Sequence, residues 1–289
     1  MTDFIAALTD PSVPFIRYAM IAGLLSSASF GIIGTFVVVK RISYIAGAVS
    51  HAALAGIGGA LYLNHAHGIE FVGPLQGAVV AALLAAIIIA HVSRSSIERE
   101  DTVIGTIWAV GMAIGLLFMA RTPGYVDPMS YLFGNILLIG KAELYIILAL
   151  DFLVILISLL FYQQFLAVSF DEEFTRIRGL PTGFYYILLI ILIALTVVLM
   201  VTVVGIVMVI ALLTIPAATA SLFSSRLWSM MLWAALFCAV FTTVGLGSSY
   251  VLDFPSGSTT IVFAGLVYLV LSLTVKGFRK ARRRPRSTE

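Results

Sequence analysis

One histidine lies in the middle of a membrane-length apolar run. His51 sits within KRISYIAGAVSHAALAGIGGALYL, residues 40–63, where a basic pair leads into small and apolar residues. An ionisable side chain at that depth is expensive in hydrocarbon, so it faces a bundle interior or a water-filled path and often marks a functional site. Neutral imidazole is a ligand for borderline divalent metals such as zinc, and manganese accepts it alongside oxygen. The residues leave two readings open: a core imidazole hydrogen-bonded to a neighbouring helix, and a transient ligand or relay on a permeation path. Gly47, His51, Ala55 and Gly58 recur at i, i+4 or i, i+3 spacing and so share a helix face. That face has little bulk besides the imidazole, which suits the lining of a narrow path. One imidazole alone does not make a tight site, and a transporter has to release its cargo.

The other chemistry-bearing residues are sparse. Asp151 is the second intramembrane ionisable residue, placed to meet water or a polar partner. His91 closes an apolar run and reads as interfacial. His65 and His67, in NHAHGIE, together with Asp127 and Asp253, fall in loops where they are either solvated or able to guide a cation. No catalytic residues are expected: there is no H-E-x-x-H, no nucleophile elbow and no cysteine pair, since Cys238 is the single cysteine. GNILLIGKAE, residues 134–143, has its glycines one residue too far apart for a phosphate loop, and Ala142 stands where a hydroxyl is needed. Any ATP would have to be bound by another polypeptide.

The elements that position these residues are membrane helices. Of 289 residues, 61% are hydrophobic and 11% charged, with mean hydropathy +1.10, against roughly 25% charged in soluble domains. Apolar runs of the ~20 residues needed to cross a ~30 Å core occur at 15–39, 42–63, 71–92, 102–120, 144–166, 230–251 and 261–275. The run 184–220 is long enough for two, with a turn near Val203 to Gly205. The expected fold is all-α, a polytopic membrane bundle of about 8–9 transmembrane helices. YLFGNILLIG, residues 131–140, is too short to cross and reads as re-entrant. Gly111 and Gly115, and Ala52, Ala55 and Gly59, provide small residues at helical spacing for close helix contact.

Positive charge sets the orientation. With the N-terminus outside, Lys40, Arg41, Arg94, Arg99, Arg176, Arg178, Arg226 and seven tail residues from Lys276 to Arg286 fall on the cytoplasmic side; Arg17, Arg121 and Lys141 do not. The C-terminus is then cytoplasmic, and the chain divides into a permease domain, 1–275, and a basic tail, 276–289. The sequence pI of about 9.0 reflects that tail beside anionic headgroups of membrane lipid rather than nucleic acid. On the same side, SFDEEFTRIRGLP (169–181) and TIPAATASLFSSRLW (214–228) are candidate partner contacts, the second running past a proline into a short amphipathic segment.

At KRISYIAGAVSHAALAG, SYLFGNIL, SFDEEFTRIRGLP, VVGIVMVIALLTIPAATA and YVLDFPSGSTT, taken in order over nearly the whole chain, the sequence resembles the permease subunits of bacterial zinc and manganese ABC importers. Its latter half also looks like the larger permeases for siderophores and cobalamin. The resemblance implies a homodimeric pore in the bacterial cytoplasmic (inner) membrane, two cytoplasmic ABC ATPases and an extracytoplasmic metal-binding protein. No cofactor would be held permanently, the divalent metal ion being cargo. It implies a metal pathway at His51, Ser50, Gly47 and Asp151, with His51 as the metal-contacting residue. Coupling to the ATPase is implied for Ala220, Ser221, Ser224, Ser225 and Arg226, with Glu173 and Arg176 as a secondary contact. Members of that family often carry an aspartate four residues before the histidine; here the position is Gly47, leaving Ser50, a partner-helix group or water to substitute. A chelate permease and a self-sufficient secondary transporter using Asp151 and His51 remain the alternatives.

Overall fold

A computed structural model describes residues 4, 7–8, 14–69, 71–93, 99–124, 126–134 and 140–282. Twelve helices follow in order: α1 (Pro14–Lys40), α2 (Ser43–His67), α3 (Pro74–Val92), α4 (Glu100–Arg121), α5 (Pro128–Phe133), α6 (Lys141–Leu160), α7 (Tyr162–Phe170), α8 (Glu172–Ile177), α9 (Thr182–Val204), α10 (Ile206–Ser221), α11 (Leu227–Leu252) and α12 (Ser256–Arg282). The fold is a polytopic helical bundle. Among the described residues six helices are long and apolar enough to cross a membrane, and a bent pair makes a seventh. The apolar helices Thr182–Val198 and Ile206–Ser221 are shorter. The run expected as one span over 144–166 is bent by 70° where α6 passes into α7. The long run 184–220 is interrupted at Gly205, whose φ of +82° an L side chain rarely adopts.

Residues 135–139 of the short run expected to be re-entrant, most of the N-terminal segment and the end of the basic tail lie outside the described residues. The part of the tail that is described continues α12 without a break past residue 275.

α1 and α9 form the middle of the bundle. Both are buried along much of their length, and α1 packs on α11, α10, α6 and α7. The close approaches are made at glycines: a methyl at Gly31 would meet the backbone of Ala235, and one at Gly34 would meet the carbonyl of Leu213. α2 runs beside α4 and α3, and touches α9 and α10. In contrast, α3, α4 and α12 turn large apolar side chains outward, among them Val80, Leu84, Leu117, Leu266 and Leu273. Apolar surface of that extent suits lipid or another membrane helix.

Three loop signatures meet at one point. The end of α5 (Gly134), the α9–α10 break (Gly205) and the start of α12 (Gly257) cross backbone to backbone. A methyl at Gly205 would lie 2.3 Å from the Gly134 nitrogen, and one at Gly257 would lie 2.1 Å from the Phe133 carbonyl oxygen. The end of SYLFG, the VVGIVMV break and the start of the DFPSGSTT helix thus form a single junction.

Candidate functional site

α2 carries the imidazole, and its glycines bring α4 onto it. Gly111 sits against Ala52 and Gly115 against Leu54, while a methyl at Gly58 would strike the Gly115 carbonyl. The small residues expected to permit close helix contact do so here. With the two axes drawn together, the Trp108 indole lies over the imidazole of His51, ring centroids 4.7 Å apart and planes inclined by 29°. His51 is buried, 7% exposed. Its Nδ1 is 2.9 Å from the Gly47 carbonyl oxygen. A carbonyl oxygen only accepts, so Nδ1 carries the hydrogen of the neutral ring and the lone pair is on Nε2. A fixed tautomer of this kind is what orients an imidazole that meets a metal.

This corrects the picture of an open small-residue face. Gly47 and Gly58 are covered by Trp108 and Gly115 rather than lining a path, because the same absence of side chains that would widen a channel lets α4 close in. Ser50 is fully buried and donates its hydroxyl to the Ala46 carbonyl at 2.7 Å. Asp151 is elsewhere: α6 packs on α1, α9 and α7, and the buried Asp151 carboxylate accepts a short hydrogen bond from the Ser29 hydroxyl. Among the described residues no group of three or more His, Cys, Asp or Glu side chains converges to hold a metal ion. The loop candidates also resolve into local structure. α2 extends through His65 and His67, ending at Gly68 in a left-handed cap. The Asp127 carboxylate caps α5, accepting from Ser130 Oγ (2.8 Å) and Met129 N (3.0 Å), bonds that hold it below the usual carboxylate range. Asp253 ends α11 in the left-handed region and borders a cavity of about 490 Å³ with Phe4, Tyr250 and Pro255. His91 lies exposed in the last turn of α3.

The end of the bundle that carries Lys40 gathers the other candidates. α1 stops in a turn in which Ile42 N–H reaches the Val37 carbonyl and Arg41 adopts φ +60°. Lys40 Nζ then donates to the Val168 carbonyl (3.0 Å), pairs with Glu172 (3.3 Å) and lies 5.0 Å from the Tyr186 ring centre. It thereby fastens α7 and α8 to α1. Asp171 caps α8 through the Phe174 amide at 2.8 Å, and Glu172, Glu173 and Arg176 line an exposed cavity with Thr182. Glu100 links α4 to this region by accepting from Ser93 (2.7 Å) and Tyr44 (3.3 Å).

The stretch after Pro216 is not a separate amphipathic helix. α10 ends at Ser221, a hydrogen-bonded turn joins Phe223 and Ser224 to the Ala220 carbonyl, and α11 begins after Arg226. Ala220 is fully buried, in a cluster with Ala217 and Val38. The exposed surface of this segment is therefore Ser221, Ser225 and Arg226, flanked by Phe223 and Trp228. The stack of Trp108 on His51 and the Lys40 hub were missed by sequence reasoning; the lone Trp108, facing glycines one helix away, was the only hint of the first.

Comparison with known proteins gives one family throughout. A model described as the ABC 3 transport family matches residues 12–275. An uncharacterized membrane protein of Synechocystis sp. is 42% identical over 257 residues, covering 89% of each chain. The manganese import system permease protein ScaB of Streptococcus gordonii is 32% identical over 268 residues, covering 93% of each. A chain in the solved structure of PsaBC from Streptococcus pneumoniae in complex with Fab superposes with TM-score 0.81 at 31% identity, covering 93% of this chain and 94% of that one. With its helical bundle, its five ordered motifs and these matches, the chain belongs to the ABC 3 transport family.

Proposed function

We propose that the chain is the membrane permease of an ATP-driven importer for a divalent transition metal. It would act as a homodimer with cytoplasmic ABC ATPases and an extracytoplasmic metal-binding protein, and ATP would be hydrolysed by the separate subunits. The observation that carries this reading is His51: a buried imidazole in a membrane helix, with Nδ1 engaged by Gly47 and Nε2 holding the lone pair. The likeness to proteins named for manganese and metal transport supports the cargo class. In this reading the metal-binding partner supplies most of the affinity, and the permease supplies a passage with a transient ligand.

The Lys40 end is the cytoplasmic end, by the excess of Lys and Arg there. Ser221, Ser225 and Arg226 form the main surface for the ATPase, with half-buried Ser224 bonded to the Arg226 carbonyl behind them, and Glu173 and Arg176 form the secondary one. Asp151 serves α1–α6 packing through Ser29, which weighs against the secondary-transporter alternative. The test is metal uptake by the reconstituted complex. His51→Ala is expected to lower uptake by about 10–100-fold, the scale of losing a group that tunes a metal site, while membrane insertion and ATPase co-purification persist. Wild-type uptake by a well-expressed His51→Ala protein would end the pathway role.

A further inference from the structure

Position 47 lies one turn before His51 on the same helix face, so a side chain there would stand beside the imidazole. The structure leaves no room for one. A Cβ at Gly47 would lie 2.2 Å from Trp108 Cζ3 and 2.4 Å from Cη2. The indole fills that notch and covers a face of the imidazole. The Gly47 carbonyl, the oxygen nearest in sequence on that face, is engaged by His51 Nδ1. The Ser50 hydroxyl donates to its own helix. The Asp151 carboxylate is held by Ser29 on another helix pair. The imidazole therefore has its Nδ1 engaged and an aromatic wall over one face, and neither Ser50 nor Asp151 offers it an oxygen.

We infer that Trp108, seated in the Gly47 notch, is a specificity-determining positioning residue that keeps oxygen ligands away from His51. It makes the site select an ion that accepts neutral imidazole, such as zinc, over one that depends on oxygen, such as manganese. The chemistry is that of ligand preference: imidazole suits zinc, copper, iron and nickel, whereas carboxylate, carbonyl and water suit manganese. An indole offers a cation only its π face, and it excludes the water that would otherwise occupy a glycine-lined notch. The indole also fixes the ring plane of His51, so Nε2 presents one direction. This inference rests on the metal-pathway reading of His51.

The experiment compares zinc and manganese uptake, supplied as the chlorides, by the full chain reconstituted with its ATPase and binding-protein partners. The variants are Trp108→Ala, Trp108→Phe and His51→Ala. Trp108→Ala opens the notch to water and is expected to raise the manganese-to-zinc uptake ratio about tenfold, the lower end of what second-layer changes do to metal sites. Trp108→Phe keeps an aromatic wall and stays near the wild-type ratio. A general loss of stability lowers both metals together and leaves the ratio unmoved. An unchanged ratio in Trp108→Ala, with His51→Ala impaired, overturns the inference alone. Wild-type uptake by His51→Ala overturns the pathway reading and the inference with it. If Trp108→Ala does not assemble, Trp228→Phe with Trp233→Phe leaves Trp108 as the only tryptophan. Its emission is expected to respond to zinc and not to manganese, and to lose that response in His51→Ala. Emission blind to zinc, or equally responsive to both metals, overturns it.

Discussion

The glycine junction that joins α5, α9–α10 and α12 makes a stability prediction with separable parts. Gly205 combines φ +82° and ψ 159°, a region used almost only by glycine, where a side chain costs on the order of 1–3 kcal/mol. A methyl there would also lie 2.3 Å from the Gly134 nitrogen and 2.6 Å from the Leu132 carbonyl oxygen. Those are backbone atoms that no rotamer change can move, and overpacking of this kind costs about 1–3 kcal/mol more. Gly205→Ala should therefore destabilise by roughly 2–6 kcal/mol in all.

Two other glycines calibrate that figure. Gly257 has no left-handed φ among its burdens, and a methyl would strike the Phe133 carbonyl oxygen at 2.1 Å, so Gly257→Ala isolates the overlap at about 1–3 kcal/mol. Gly265, within α12, has nothing within 4 Å of a methyl, and Gly265→Ala should gain roughly 0.5–1 kcal/mol from helix propensity. The assay is unfolding of the purified protein in mixed detergent micelles on titration with SDS, with the thermal midpoint as a second probe. The expected order of stability is Gly265→Ala, wild type, Gly257→Ala, Gly205→Ala. Equal midpoints for Gly205→Ala and Gly265→Ala would refute the junction as a backbone crossing.

Two further substitutions probe other parts of the bundle. Lys40→Met removes a charged hydrogen bond to the Val168 carbonyl, a ring contact with Tyr186 and a half-exposed pair with Glu172; about 2 kcal/mol of stability should go, mostly from the first. Because Lys40 fastens α7–α8 to α1, the same variant should leave the complex's ATPase activity less dependent on metal-loaded binding protein, and unaltered metal stimulation would count against that linkage. Asp151→Asn keeps an acceptor for Ser29 and should transport like wild type, whereas Asp151→Ala leaves the Ser29 hydroxyl only the long 3.5 Å contact to the backbone carbonyl of residue 151 and should cost about 1–3 kcal/mol. A folded Asp151→Asn protein without uptake would show that the carboxylate takes part in transport.

Much of this architecture is legible along the chain because its signals are local. Apolar runs of membrane length gave the spans, and Gly205 gave the interruption of the longest one, since a glycine between β-branched residues is where a helix can turn left-handed. Gly111 and Gly115 announced a close crossing by their spacing. His51 stood out through its cost in hydrocarbon. What single-chain periodicity does not carry is which helix covers which face. The small-residue face of α2 is compatible with a channel and with an intimate neighbour, and only the placement of α4 decides between them. Asp151 likewise carries no mark of its partner, because Ser29 lies more than a hundred residues away and looks like any small residue of α1. Asp127 and the paired His65 and His67 stay ambiguous along the chain for the opposite reason: a polar residue near a span end serves as a cap or a last turn as readily as a ligand.

The same reasoning gives Gly47 a meaning that its own residue type conceals. Read alone, it is a missing carboxylate beside a metal-facing histidine. In the fold it is the half of a pair whose other half is Trp108, whose indole occupies the space a side chain at 47 would take. A side chain at 47 would expel the indole, and without the indole the notch would fill with water. The ligand environment of His51 is therefore set by a helix that shares no sequence motif with it. On the proposed pathway reading, selectivity would follow from how tightly α4 packs on α2, and Gly58, Gly111 and Gly115 would belong to the site through that packing although none of them can touch a metal through a side chain.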